Sequence, residues 1–175
     1  MKYNAEYFVQ KLEMNPHPEG GWYKETYRSE EKVHLPGLPE RFSGERSFCT
    51  GIYFLLQYPQ FSAFHRIKSD EMWHFYAGSP LNVFVIDSNG GFEVIKLGND
   101  IEQGERFQAV VKAGNWFASQ PVGVNDNLMA GETFSLVGCT VSPGFDFSDF
   151  EMAKADELIK EFPQYEEWIK KYCRR

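Results

Sequence analysis

HRIKSDEMWHFYAG, residues 65–78, sets two histidines, two adjacent carboxylates and an arginine into a segment that otherwise reads as a β-strand and its approach. Phe61 to Arg66 reads as one strand, Lys68, Ser69 and Asp70 as a polar connection, and Glu71 to Ala77 as a second strand. Side chains alternate along a strand, so Glu71, Trp73 and Phe75 share one face while Met72, His74 and Tyr76 share the other. His74 is therefore predicted to point away from Glu71. No glycine or proline before Gly78 announces a bulge that would overturn the alternation.

Outward from this segment, the middle of the chain is a succession of short β-branched or aromatic runs. SFCTGIYFLLQ, FSAFHR, EMWHFYAG, LNVFVID, FEVIKL, FQAVV, NWFASQ and TFSLVGCTV are separated by turn residues every eight to twelve positions. That spacing belongs to a sandwich or barrel, and the absence of helical periodicity between strands argues against a parallel βαβ sheet. Ser88-Asn89-Gly90-Gly91 is the strongest hairpin signal and predicts a two-residue turn. Trp22–Arg28 reads as a first strand, and residues 29–44, with Pro36, Gly37, Pro39 and Gly44, as a long loop.

Helices are predicted only near the ends. Asn4 is placed to cap a short helix carrying Tyr7, Phe8 and Leu12. Ser148 and Glu151 have the spacing of a capping box before Leu158, Ile159 and Phe162. Pro163 ends that helix, and a last one carries Trp168, Ile169 and Tyr172. The expected organisation is one domain over residues 1–175, with a β-core over about 15–147 and C-terminal helices over about 148–175.

Composition narrows the function classes. The formal net charge of −7 argues against a nucleic-acid or anionic-membrane partner, since both call for a basic surface. Lys170, Lys171, Arg174 and Arg175 read as a solvated helix end. No secretory or transit pattern opens the chain, and no run approaches the length of a spanning helix. Cys49, Cys139 and Cys173 fit neither a disulfide framework nor a zinc pattern, so the cytoplasm is the expected compartment.

The spacing around His65 resembles the first motif of the cupin superfamily, G-x5-H-x-H-x3-4-E-x6-G, with Glu71 and Gly78 at the glutamate and glycine. VVKAGNWFASQP resembles the second motif, with Gly114 at the turn glycine. HPEGGWYKETYR, AGNWFAS and SLVGCTVSPGFDFSDFE narrow the likeness to a small cupin family of bacteria and fungi. That resemblance implies an all-β, double-stranded β-helix of the jelly-roll type. It also implies a homodimer, because relatives pair through edge strands. Metal-binding cupins offer three histidines and a glutamate, whereas Ile67 and Phe117 stand at two of the histidine positions here. His65 and Glu71 alone make a poor divalent site, so no metal and no other cofactor is expected.

The family is also similar to nucleotide-sugar epimerases. Gly21, Tyr23 and Glu25 resemble their G-x-F-x-E segment, although Gly20 replaces the arginine that normally precedes it, and His65 matches their general base. The resemblance implies a small polar or sugar-like ligand, with His65 as base and Glu71 orienting it.

Other candidates carry two readings each. Arg28 and Arg66 are suited to grip a carboxylate or phosphate, or are surface charges. Trp73 and Trp116 read as barrel interior, through core packing or ligand stacking. With Tyr23 and Glu25 these four make up the candidate ligand contacts. His17-Pro18-Glu19-Gly20-Gly21 suggests a shaped loop at a pocket or interface, or only a turn, and Phe145, Phe147 and Phe150 read as packing for the terminal helices. Three functions remain: an isomerase- or epimerase-like acid/base enzyme, a non-catalytic binding module, and, with the least support, a metal-dependent cupin enzyme.

Overall fold

The computed structural model describes residues 3–123 and 133–174; Arg175, read above as part of a helix end, lies outside them. The alternating runs form strands β1 (Asn15–Pro16), β2 (Trp22–Arg28), β3 (Lys32–Val33), β4 (Arg46–Ser47), β5 (Thr50–Gln57), β6 (Ser62–Arg66) and β7 (Asp70–Gly78). There follow β8 (Leu81–Ile86), β9 (Phe92–Leu97), β10 (Gln108–Val111), β11 (Trp116–Pro121), β12 (Phe134–Ser142) and β13 (Glu151–Met152). Helices α1 (Ala5–Lys11), α2 (Ala155–Glu161) and α3 (Glu166–Tyr172) stand at the ends, as expected.

Two antiparallel sheets face each other, ordered β1-β2-β5-β12-β7-β10 and β13-β6-β11-β8-β9. Non-consecutive neighbours such as β12 between β5 and β7 are the crossovers of a jelly roll. Alternation then sorts the residues. Phe54, Leu56, Trp73 and Val137 of the first sheet meet Leu81, Val83, Ile95, Leu97 and Phe117 of the second in one buried core. The next residues along the same strands face outward. Phe64, Phe84, Ile86 and Trp116 are covered by Leu158, Phe162, Ile169 and Tyr172 of the C-terminal helices. Leu55, Phe134 and Leu136 are covered by Ala5 and Met14, at and just after α1, whose first turn Asn4 caps by accepting from the Tyr7 N–H at 2.9 Å.

Local expectations fail where side-chain chemistry offers the backbone another partner. Ser148 and Glu151 form no capping box: Asp146 accepts from the Ser148 N–H at 2.8 Å and holds a single 3-10 turn, Phe147–Asp149. Glu151 sits in β13, paired with Arg66 of β6, and the first C-terminal helix starts only at Ala155 rather than near 148. The β8–β9 hairpin is longer than a two-residue turn. Asp87 accepts from the N–H groups of Asn89 and Gly91, and the left-handed residue is Gly90 at φ +79°. Within the long loop, β3 pairs with β4 and Leu35–Gly37 makes one 3-10 turn.

Strand β7 does carry an irregularity. Leu136 pairs with Ala77 and Val137 with Phe75, which leaves Tyr76 as the extra residue. The bulge lies beyond His74, so the alternation from Glu71 to Phe75 is intact.

Candidate active site

A cavity of about 290 Å³ opens at one end of the sandwich. One wall comes from the first sheet: Tyr23, Glu25 and Arg28 of β2, Thr50, Ile52 and Phe54 of β5, Glu71 of β7, and Cys139 and Val141 of β12. The second sheet contributes only His65 of β6, with Ile67 just after it. Two loops supply the rest, and each is fixed by its own chemistry.

The first loop is His17–Gly21. Gly20 and Gly21 have φ of +124° and +71°, and a Cβ there would lie 2.3 Å from the Phe61 carbonyl oxygen and 2.4 Å from that of Leu55. Only glycine lets the backbone turn left-handed and press this closely against its neighbours. The Ala63 N–H donates to the Glu19 carbonyl at 2.9 Å, which docks the loop on β6 and turns Glu19 inward.

The second loop crosses the mouth. The Gly144 N–H donates to Ser47 O at 2.7 Å, the Phe145 N–H to Thr50 Oγ1 at 2.9 Å, and Arg28 Nη1 to Phe145 O at 2.9 Å. Farther along, the buried Asp149 carboxylate takes two bonds of 2.6 Å from the equally buried Arg46. These anchors hold Phe145, Phe147 and Phe150 over the cavity. The three rings are thus a roof, and their reading as packing for the terminal helices is corrected.

The polar floor is built on Glu19. Its Oε2 lies 3.1 Å from His65 Nε2 and 3.4 Å from His17 Nδ1, and its Oε1 accepts from Ser62 Oγ at 2.8 Å. His65 Nδ1 faces the Ala63 carbonyl at 2.8 Å, so this nitrogen carries the hydrogen. His17 Nδ1 receives the Glu19 N–H at 3.4 Å and is an acceptor. Burial raises the carboxyl of Glu19 above its ordinary value and depresses both imidazoles, against the pull of Glu19 on His17 and of Glu71 on His65. Both histidines therefore favour the neutral form, and Glu19 Oε2 faces one ring nitrogen of each.

Glu71 stands beside this group. Burial pushes its carboxyl up to about 7, against the attraction of His65, and the Cys139 thiol hydrogen-bonds it. The same burial, together with Glu71, raises the Cys139 thiol well above its usual range, so it is a donor rather than a nucleophile.

Of the residues singled out from sequence, the structure brings His65, Glu71, Tyr23, Glu25 and Arg28 together around this cavity. Glu71 is not the hydrogen-bonding partner of the His65 ring; that is Glu19, delivered by the glycine turn. Arg66, Trp73 and Trp116 lie outside. Arg66 pairs with Glu151 at 2.8 Å and lies over the Trp116 ring, whose other neighbours are the C-terminal helices. Trp73 is two residues along β7 from Glu71, which places it in the packed core. His17, Glu19, Thr50 and the three phenylalanines were not picked out as site residues. The only sequence signal for the loop is the glycine pair after His17-Pro18-Glu19.

With an antiparallel double-sheet barrel and its polar interior established, the comparisons with known proteins agree. Residues 6–153 match the family described as "Cupin superfamily (DUF985)", and the chain belongs to that family. It is 36% identical to a hypothetical protein from Leishmania major, whose structure superposes with a TM-score of 0.87 over 99% of this chain and 100% of that one. A Shewanella oneidensis protein is 39% identical, with a TM-score of 0.82 over 98% of each chain. An uncharacterised Saccharomyces cerevisiae protein is 27% identical over 90% of this chain and 79% of its own length.

Many cupins carry a metal, and the donor set decides whether this one fits it. Ile67 forms an apolar wall of the cavity, and the Phe117 ring lies 4.1 Å from the His65 ring. Among the described residues, no group of three or more His, Cys, Asp or Glu side chains is arranged to hold a metal ion. These residues do not fit a divalent metal, which needs three or four protein ligands. Among the same residues, no helix is long and apolar enough to cross a membrane.

Proposed function

We propose that the cavity carries out metal-independent proton transfer on a small polar, sugar-like molecule, with isomerisation or epimerisation next to a carbonyl as the natural reaction. The observation that carries this reading is the buried cluster of His17, Glu19 and His65 beside Glu71, all at the bottom of a largely apolar pocket. With the hydrogen of His65 on Nδ1, its Nε2 is the nitrogen that accepts a proton from substrate. Glu71, close to half-protonated around neutral pH, is suited to return one. Acid/base work of this kind supplies on the order of 10²–10⁴ in rate.

One observation favours a binding module without chemistry: His65 Nε2 is already engaged by the Glu19 carboxyl, 3.1 Å away. Incubating chelator-treated protein with small ketoses and aldoses in D2O separates the two. The enzyme reading expects deuterium beside the carbonyl, detected by NMR and lost in His65→Gln and Glu19→Gln. Binding without exchange in every sugar tested supports the module instead.

A further inference from the structure

The charge around the cavity bears on what it accepts. Three carboxylates reach it, Glu19, Glu25 and Glu71, against one arginine, Arg28. That guanidinium is committed on all three nitrogens, to both oxygens of Glu25 and to the Phe145 carbonyl. Among the described residues, neither Glu19 nor Glu71 has a lysine or arginine within ion-pair distance. Among the described residues that line the cavity, no lysine or arginine is left to receive an anionic ligand, which would meet like charge in a buried site.

The roof adds a second, independent feature. Phe145, Phe147 and Phe150 pack on one another at centroid distances of 5.0–6.2 Å and interplanar angles of 70–80°. Two of these rings also pack on the imidazoles of the floor, His17 stacking on Phe147 at 6.3 Å and His65 tilting against Phe150 at 5.2 Å. Electron-rich faces above a carboxylate floor are the elements that recognise organic cations.

We propose that the cavity selects a small organic cation, a monosaccharide-sized molecule bearing an amino or quaternary ammonium group, with its nitrogen near Glu71 and its carbon skeleton against the phenyl rings. This deepens the functional reading and rests on it, since it takes this cavity as the working site. The size agrees, because about 290 Å³ lies at the small end of ligand pockets. So does the protonation state of the floor. Burial, with Glu19 nearby, holds the Glu71 carboxyl at about 7 against the attraction of His65, and a bound ammonium would hold it as the carboxylate. The groups facing Glu71 are His65, Glu19 and Cys139, with His17, Glu25 and Arg28 farther around the cavity and Arg174 behind Glu19.

The test uses three probes with one ring and different charge: cyclohexylammonium, cyclohexanol and cyclohexanecarboxylate, titrated while the ring resonances of His17 and His65 are followed. The expected order is ammonium roughly tenfold tighter than alcohol, with carboxylate weakest. Ammonium affinity should climb between about pH 6 and about pH 8 as Glu71 ionises. Glu71→Gln should lose most of the ammonium preference. Phe147→Leu, at an exposed roof position that leaves the core untouched, should lower ammonium affinity several-fold and spare the alcohol. Alcohol or carboxylate binding as tightly as ammonium overturns the cation assignment while leaving the pocket reading standing. If none of the probes moves the His17 or His65 rings, both are overturned.

Discussion

The interior of the sandwich has a packed end and a hollow end, and the same strands build both. Strand β5 sends Leu56 to the packed end and Thr50 and Ile52 to the hollow one; β7 sends Trp73 and Glu71, and β12 sends Val137 and Val141. Alternation is equally regular at both. What differs is the opposite wall. At the packed end, β8 and β9 face the first sheet with Val83, Ile95 and Leu97, whereas no residue of β8 to β11 reaches the cavity. There β6 stands alone, and loops 17–21 and 144–150 close the space. A cavity in this fold follows from where the second sheet falls short, and its chemistry from what the loops bring in.

The packed end should answer to volume. Trp73 is 1% exposed and packs edge-on to Phe54 and Phe117, at centroid distances of 6.1 and 6.2 Å. Trp73→Ala is expected to destabilise the fold by about 3–5 kcal/mol, read from urea unfolding. A loss under about 1 kcal/mol would mean that this end is as loosely filled as the other, and the contrast would be gone.

The hollow end should answer to charge. Glu71 is an acid whose folded-state value, about 7, lies above its ordinary 4.5. The folded state therefore binds the proton more tightly. The stability this supplies is full below the ordinary value and is lost as pH rises through about 7. Above that, the wild type carries a buried carboxylate that Glu71→Gln does not. The stability of the variant relative to wild type should rise across this window by up to about 3 kcal/mol, less whatever His65 returns. Unfolding curves at several pH values measure it; a pH-independent difference would show that Glu71 is solvated and that the end is not dry.

These contrasts also explain what was legible in the sequence. Strands are local, so the alternation in EMWHFYAG placed Glu71 and Trp73 on the inner face and His74 outside. The spacing from His65 to Glu71 and Gly78 located the floor through its likeness to cupins. It did not supply Glu19, because that contact depends on two left-handed glycines folding a distant loop onto β6. Nor did periodicity distinguish Trp73 from Glu71 as a ligand contact. Both face inward, and only the reach of β8 and β9 decides which is packed and which is open. The place of Phe145, Phe147 and Phe150 is not legible for a related reason: an aromatic cluster before a helix has the same composition whether it supports that helix or roofs a cavity.

The smallest effect is expected on the outer face of the strand that carries both ends. His74 is half-buried there, with Nε2 3.0 Å from Thr140 Oγ1 and Nδ1 3.1 Å from Gln108 Nε2. Neither bond touches the cavity, and the bulge at Tyr76 comes too late in β7 to rotate His74 inward. Both partners keep access to water when the ring is removed, so neither is left as an unsatisfied buried group. His74→Ala should therefore cost no more than about 1 kcal/mol in stability. It should also leave the affinity for any ligand that shifts the His65 ring unchanged to within about twofold, since every 1.4 kcal/mol is tenfold and no contact to the site is lost. The informative control is His65→Ala, which removes a floor residue three positions before the polar turn. If His74→Ala weakened ligand binding as much as His65→Ala does, β7 would have to present His74 inward in the bound protein. The register that pairs Gly138 with His74 and Cys139 with Trp73 would then have shifted by one residue, carrying Trp73 out of the core and Glu71 off the floor.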